Sequence, residues 1–250
     1  MSEERKLLIK QDETLDDLIM GGLKIIQARQ GYRFSVDSVI LAHFPELNRI
    51  RKIVDLGTGN GVIPLLLSHR SSTVELTGIE IQESMVDRAR RSVEYNQMDN
   101  RIEIIKADIK ETANLLPEGF AEMIISNPPF WKKGEGRISK NKEEAIARHE
   151  IQVDLEHIAE AAVHILCPGG KLCIIHRADR LPEIVETFGK KQLILKRIRM
   201  VHAFSDREAR QLLLEAQKNG SRGFSVLPPL IIYDKAGEYG EEIKGIYNRA

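Results

Sequence analysis

Lys52-Ile53-Val54-Asp55-Leu56-Gly57-Thr58-Gly59-Asn60-Gly61 is the stretch on which the fold turns. Ile53, Val54 and Leu56 predict a strand, the three spaced glycines a tight turn, and Val62 to about Ser68 a helix. A glycine loop between strand and helix lets backbone approach a ligand closely, with the helix N-terminus behind it. The spacing is Gly-x-Gly-x-Gly rather than the Gly-x-Gly-x-x-Gly of dinucleotide sites, which argues against a nicotinamide dehydrogenase.

Strands and helices alternate downstream. Val74–Ile79 predicts a second strand, with Glu80 at its C-terminal end, where a carboxylate can accept both hydroxyls of a ribose. Gln82 to Asn96 has a helical apolar period, with Met85, Ala89 and Val93 on one face and Arg88, Arg90 and Arg91 expected in solvent. Arg101–Lys106 predicts the third strand, and Asp108 just beyond it is placed either to contact a ligand or to cap a helix. Met123–Ser126 predicts the fourth, which Asn127-Pro128-Pro129-Phe130 ends, because proline cannot donate to a ladder. The two prolines stiffen the loop that displays the Asn127 amide and the Phe130 ring. Both loops are expected at one sheet edge, where open α/β sheets bind ligands.

After Phe130 the run Trp131-Lys132-Lys133-Gly134-Glu135-Gly136-Arg137 is basic and glycine-spaced. Its lysines suit phosphates and Trp131 suits stacking on an extracted base, a plain surface loop being the alternative. His149 reads as a structural or capping histidine. Val153–Leu166 predicts a helix ended by Pro168-Gly169-Gly170, then come a fifth strand (Lys171–Ile175), a helix (Leu181–Lys190) and a sixth strand (Gln192–Val201). Gln211–Gln217 fits helix or strand; its place before Lys218-Asn219-Gly220 favours a strand. Leu230–Tyr233 predicts an edge strand, with a short helix in the tail. At the other end, Met1 to about Asp17 is charged and expected to fray, Leu23–Gln27 and Tyr32–Phe34 suit a hairpin about Gly31, and Ser35 and Asp37 cap a helix to about His43.

The composition bounds the class. Two hundred and fifty residues, 42% hydrophobic and 30% charged, suffice for one α/β core. No apolar run approaches a membrane span and the opening Met-Ser-Glu-Glu-Arg-Lys has no signal-peptide character, so a cytoplasmic protein is expected. Cys167 and Cys173 lack metal-ligand spacing and read as reduced core residues. Basic and acidic residues balance at 37 each, but Glu186 to Arg222 holds nine basic residues against four acidic, which suggests a phosphate-facing surface.

Taken together these motifs carry a resemblance. Asp55-x-Gly57-x-Gly59-x-Gly61 resembles motif I of class I S-adenosylmethionine-dependent methyltransferases, as do the helix, Pro-Gly-Gly and strand that follow. Asn127-Pro128-Pro129-Phe130 resembles the motif of enzymes that methylate an amino group conjugated to a π-system, most often the exocyclic nitrogen of adenine. The run Gln30 to Ala42 resembles the segment that lines the cofactor pocket of small bacterial RNA adenine methyltransferases. The nearest family is the tRNA1(Val) adenine-N6 methyltransferases.

The resemblance implies a Rossmann-like α/β fold: a mostly parallel seven-stranded sheet, helices on both faces, an antiparallel strand near the C-terminus. It implies one methyltransferase domain over 1–250, with the hairpin and helix of 1–50 covering the cofactor site of a 51–250 core. S-adenosyl-L-methionine would be held by Phe34, Asp37, Asp55, Gly57, Gly59, Gly61, Glu80, Ile81, Asp108 and Asn127. Asn127, Pro128, Pro129 and Phe130 would act on the target amine, and Trp131, Lys132 and Lys133 on an RNA, with tRNA beside the anticodon as the expected substrate. No metal is expected, and the oligomeric state is open. The alternatives are an rRNA or DNA adenine methyltransferase, a protein-glutamine methyltransferase, and a non-catalytic module that binds S-adenosylmethionine or RNA.

Overall fold

The computed structural model describes residues 7–18, 21–31, 33–130 and 154–248. An antiparallel hairpin comes first, β1 (Glu13–Asp17) against β2 (Lys24–Ala28), followed by α1 (Val36–His43). The core then runs β3 (Lys52–Leu56), α2 (Val62–Arg70), β4 (Glu75–Glu80), α3 (Glu83–Tyr95), β5 (Ile102–Lys106), a short turn of helix α4 (Thr112–Leu115) and β6 (Ala121–Ser126). Beyond residue 153 come α5 (Leu155–Ile165), β7 (Leu166–Arg177), α6 (Leu181–Lys190), β8 (Leu193–His202) and β9 (Ala209–Lys218). Four short strands, β10 (Ser225–Val226), β11 (Leu230–Ile231), β12 (Tyr233–Lys235) and β13 (Glu238–Tyr239), lead to α7 (Glu241–Asn248).

The main sheet has the order β10-β8-β9-β7-β6-β3-β4-β5, with β11 also on β8. Strands β5, β4, β3, β6 and β7 are parallel, and β9 lies antiparallel between β7 and β8. The expected seven strands are therefore present, and two short parallel strands add to the β8 edge. Alternation along each strand feeds two cores. Ile53, Met123, Ile125 and Ile175 face α1, α2, α3 and α7. Val54, Ile124, Leu172 and Ile174 face α5 and α6. The sheet steps outward one way from β3 to β4 and β5, and the other way through β6 and β7. That reversal leaves a crevice at the C-terminal ends of β3 and β6, whose Asp55 and Ile125 are paired in register.

Three local expectations fail, for physical reasons. The hairpin partner of β2 is the acidic stretch Glu13–Asp17, not Tyr32–Phe34, because the chain reverses at Gly21 and Gly22, both at positive φ. The charges of β1 are met by distant cations: Arg91 grips buried Glu13 through two 2.6 Å bonds, Arg33 pairs with Asp16, and Lys24 with Asp17. Arg91 is thereby held half-buried, and Arg88 is buried, its Nε donating to Asn60 in the glycine loop at 3.1 Å. Pro168-Gly169-Gly170 does not precede the fifth core strand but lies within β7, which begins at Leu166 and shifts register before Lys171. Among the described residues no helix is long and apolar enough to cross a membrane.

Candidate active site

The glycine loop is built by backbone that only glycine adopts freely. Gly57, Gly59 and Gly61 have φ of 77°, 58° and 83°. The N–H groups of Gly57 and Thr58 both donate to the Ile79 carbonyl, at 2.9 and 3.0 Å, which fastens the loop to the end of β4. A Cβ on Gly57 would project into open space, whereas one on Gly61 would press on Ala89 at 3.3 Å. Gly57 thus leaves room on the crevice side, and Gly61 lets α2 close onto α3. Gly78, inside β4, is a further requirement: a Cβ there would lie 2.8 Å from the Thr58 methyl. A glycine within a strand pattern signals such an approach.

Two carboxylates meet behind this loop. Glu80 is buried at the end of β4, and its oxygens accept the N–H groups of Gly59 at 3.0 Å and Gln82 at 2.9 Å. Asp55, at 0% exposure, has no hydrogen-bond partner on either oxygen. Burial pushes its carboxyl up to about 7, with the neighbouring Thr58 hydroxyl, which forms no hydrogen bond of good geometry here, opposing the rise and the charge of Glu80 adding to it. Asp108 caps the 3-10 turn Ile109–Glu111 by accepting the Lys110 N–H at 3.0 Å. It stays beside the pair because the Ala107 N–H donates to the Glu80 carbonyl. Ile81 is half-buried directly after Glu80.

The Asn-Pro-Pro-Phe loop follows β6, anchored where the Ser126 hydroxyl donates to the Leu56 carbonyl at 2.8 Å. No peptide bond among the described residues is cis. Asn127 is half-buried, and its Nδ2 donates to Oγ of Ser38 on α1 at 3.3 Å. Its Oδ1 accepts nothing from the described residues. Phe34 lies just before α1, and Asp37 in its first turn, next to Ser38. Phe34 packs on the core and donates its N–H to Gln27, and burial raises the Asp37 carboxyl against hydrogen bonds from Gln211 and Ser35.

The Phe130 ring sits 5.7 Å from the imidazole of His176, tilted by 51°. His176 is fully buried near the end of β7, and its Nδ1 accepts the Arg177 N–H at 2.8 Å, which leaves the proton on Nε2. Burial, then the Arg180 guanidinium, pushes its pKa down to about 4, so the ring is neutral. Nothing local in the sequence singled out His176 or Ser38. Trp131, Lys132, Lys133 and His149 lie outside the described residues.

Residues 35–200 match the family model of the methyltransferase small domain. The chain belongs to that family. Among curated relatives, this methyltransferase is 26% identical over 196 residues to the tRNA1(Val) (adenine(37)-N6)-methyltransferase of Trichodesmium erythraeum, covering 78% of this chain and 81% of the relative. A Porphyromonas gingivalis protein of the same description is 30% identical over 164 residues, covering 65% and 64%. Among solved structures, a predicted O-methyltransferase from Agrobacterium tumefaciens superposes with a TM-score of 0.68 at 24% identity, over 86% of this chain and 97% of that one. The last likeness concerns the fold.

The basic stretch of this methyltransferase is largely spent internally. Lys190 pairs with Glu186, Lys191 with Glu160, Arg197 with Glu215 and Glu46, Arg199 with Glu242 and Arg207 with Asp206, while Lys218 is buried against the Leu166 carbonyl. Several of those carboxylates come from outside Glu186–Arg222, which a local charge count omits. Lys196, Arg210 and Arg222 make no ion pair with a described carboxylate. Cys173 is buried as expected and Cys167 half-buried, both reduced. No cluster of metal-ligating side chains occurs among the described residues.

Asp55 gives the protein a pH signature. Its folded pKa is raised, so its contribution to stability is fully present below the unfolded value near 4 and is lost as pH rises through about 7. Asp55→Asn removes this loss. At pH 8 the variant is expected to gain on the order of 2–4 kcal/mol over the parent, shrinking to about a third of that at pH 5 and toward zero below pH 4. Thermal unfolding of both proteins without ligand checks this, and parallel pH profiles would contradict it; His176 cancels in the comparison.

Proposed function

We propose that this methyltransferase transfers a methyl group from S-adenosylmethionine to the exocyclic N6 amine of an adenine in tRNA, next to the anticodon. The observation that carries the proposal is the Asn-Pro-Pro-Phe loop opening beside the glycine loop at the reversal of the sheet, with the Asn127 side-chain oxygen accepting nothing from the described residues. The descriptions of the curated relatives support the same chemistry and the same class of RNA.

The crevice fits the methyl donor on three counts. Asp55 has two buried, unsatisfied oxygens for a cationic group at the methionine end. Gly57 has the open face on which no side chain intrudes. Glu80 accepts the Gly59 and Gln82 N–H groups, one on each oxygen, and a carboxylate at the end of β4 is the group suited to accept ribose hydroxyls. Asp108, Ile81, Phe34 and Asp37 complete the proposed lining, and the segment 1–50 covers it. When bound, S-adenosylmethionine supplies an electrophilic sulfonium methyl.

The chain's own residues then prepare the nucleophile. An adenine N6 lone pair is spread into its ring, and two acceptors that draw its N–H hydrogens let the nitrogen pyramidalise. The Asn127 Oδ1 and the Pro128 carbonyl are those acceptors. Phe130 gives the base a face to stack on, worth roughly 1–3 kcal/mol. Pro129 keeps the ring and the amide in one stiff loop. An adenine in an anticodon loop is unpaired, so little energy is spent on extracting it. Trp131, Lys132 and Lys133, with Lys196, Arg210 and Arg222, are proposed to meet the remaining RNA.

The test supplies methyl-labelled S-adenosylmethionine with tRNA, rRNA, duplex DNA and free adenosine in separate reactions. Label in tRNA alone is expected. Equal labelling of DNA or free adenosine would contradict the assignment, and binding of the donor without transfer to any of them would favour a non-catalytic module.

A further inference from the structure

Among the described residues, helix α1 reaches the proposed methylation site through a hydrogen bond to the Asn127 amide. Ser38 is 7% exposed in the first turn of α1, and its backbone N–H donates to the carbonyl of the capping Ser35 at 3.2 Å. Its Oγ takes the Nδ2 hydrogen of Asn127, 89 residues further along the chain, at 3.3 Å. The two ends of a primary amide have almost the same shape and opposite hydrogen-bonding character. Turned one way, Asn127 offers an acceptor to an incoming amine. Turned the other way, it offers N–H groups that repel the amine's own hydrogens.

We infer that Ser38 is a positioning residue for methyl transfer: by engaging Nδ2 it holds Asn127 Oδ1 toward the target amine. The inference rests on the proposed role of Asn127 as amine acceptor. Helix α1 then does more than cover the methyl-donor site. Its cap fixes Ser38 at a set height, and Ser38 fixes the amide. Removing the hydroxyl leaves both amide orientations open, and only one supports the reaction.

Ser38→Ala is expected to lower kcat about tenfold to a hundredfold, by analogy with the loss on removing a hydrogen-bonding partner that orients a metal ligand. KM for RNA, donor affinity and the unfolding midpoint should stay near those of the parent. Asn127→Asp supplies the discriminating background, because a carboxylate presents an oxygen whichever way it turns. In that background Ser38→Ala should change kcat less than twofold. An equal loss in both backgrounds, or a loss accompanied by a lower unfolding midpoint and weaker donor binding, makes Ser38 merely structural and overturns the inference. If Asn127→Asp is too slow for turnover, single-turnover methylation by Asn127→Ala and by the double variant decides: equal rates support the coupling, additive losses overturn it. Wild-type kcat in Ser38→Ala with an impaired Asn127→Ala refutes Ser38 alone, whereas wild-type kcat in Asn127→Ala refutes the role of Asn127 itself.

Discussion

Asn127→Ala is expected to lower kcat by about a hundredfold to a thousandfold, the range for losing one preorganised transition-state hydrogen-bonding group, while donor affinity stays within about twofold. The asymmetry follows from position. Asn127 stands past the end of β6, across the crevice from the glycine loop and its carboxylates, and its single described side-chain partner is Ser38. Its acceptor is needed most as the target nitrogen pyramidalises, which spares ground-state binding. The strand end should survive the change, since Ser126 ties it to Leu56 independently of the Asn127 side chain. Steady-state kinetics beside donor titration by calorimetry reads both quantities. Turnover at the parent rate would remove Asn127 from the chemistry.

Glu80→Ala acts on the other partner of the reaction. Donor affinity should fall about tenfold to 150-fold, corresponding to the 1.5–3 kcal/mol of hydrogen bonds to a charged group. The loss has two sources. The ribose hydroxyls lose their acceptor, and the Gly59 and Gln82 N–H groups lose the carboxylate that sets the loop. Glu80→Gln keeps one carbonyl acceptor and should fall between the two proteins. Calorimetric affinity equal to the parent's would place Glu80 outside the site.

Much of this was legible because it is written in local pattern. Alternation along Lys52–Leu56 and Met123–Ser126 fixes which residues enter each core, and the glycine spacing and the two prolines mark where the chain must turn beside a ligand. Gln211–Gln217, ambiguous by periodicity, is a strand because β7 and β8 flank it on both sides. The misreadings arise where a distant residue overrides local character. Glu13–Asp17 looks like a frayed acidic end until Arg91, Arg33 and Lys24 neutralise it. Arg88 looks solvent-facing on its helix until Asn60 accepts its guanidinium. Ser38 and His176 carry no signal in sequence at all: a serine in a capped helix and a histidine in an apolar strand acquire meaning only when Asn127 and Phe130 arrive beside them.

The identity of the methylated nucleoside tests directly whether an adenine N6 amine is the target. After reaction with methyl-labelled S-adenosylmethionine, tRNA is digested and its nucleosides are separated and identified by mass spectrometry. Label in N6-methyladenosine is expected, because Asn127 and Pro128 are proposed to present acceptors suited to an exocyclic amine. Label confined to a ring nitrogen, a ribose 2′-oxygen or a base other than adenine would contradict it.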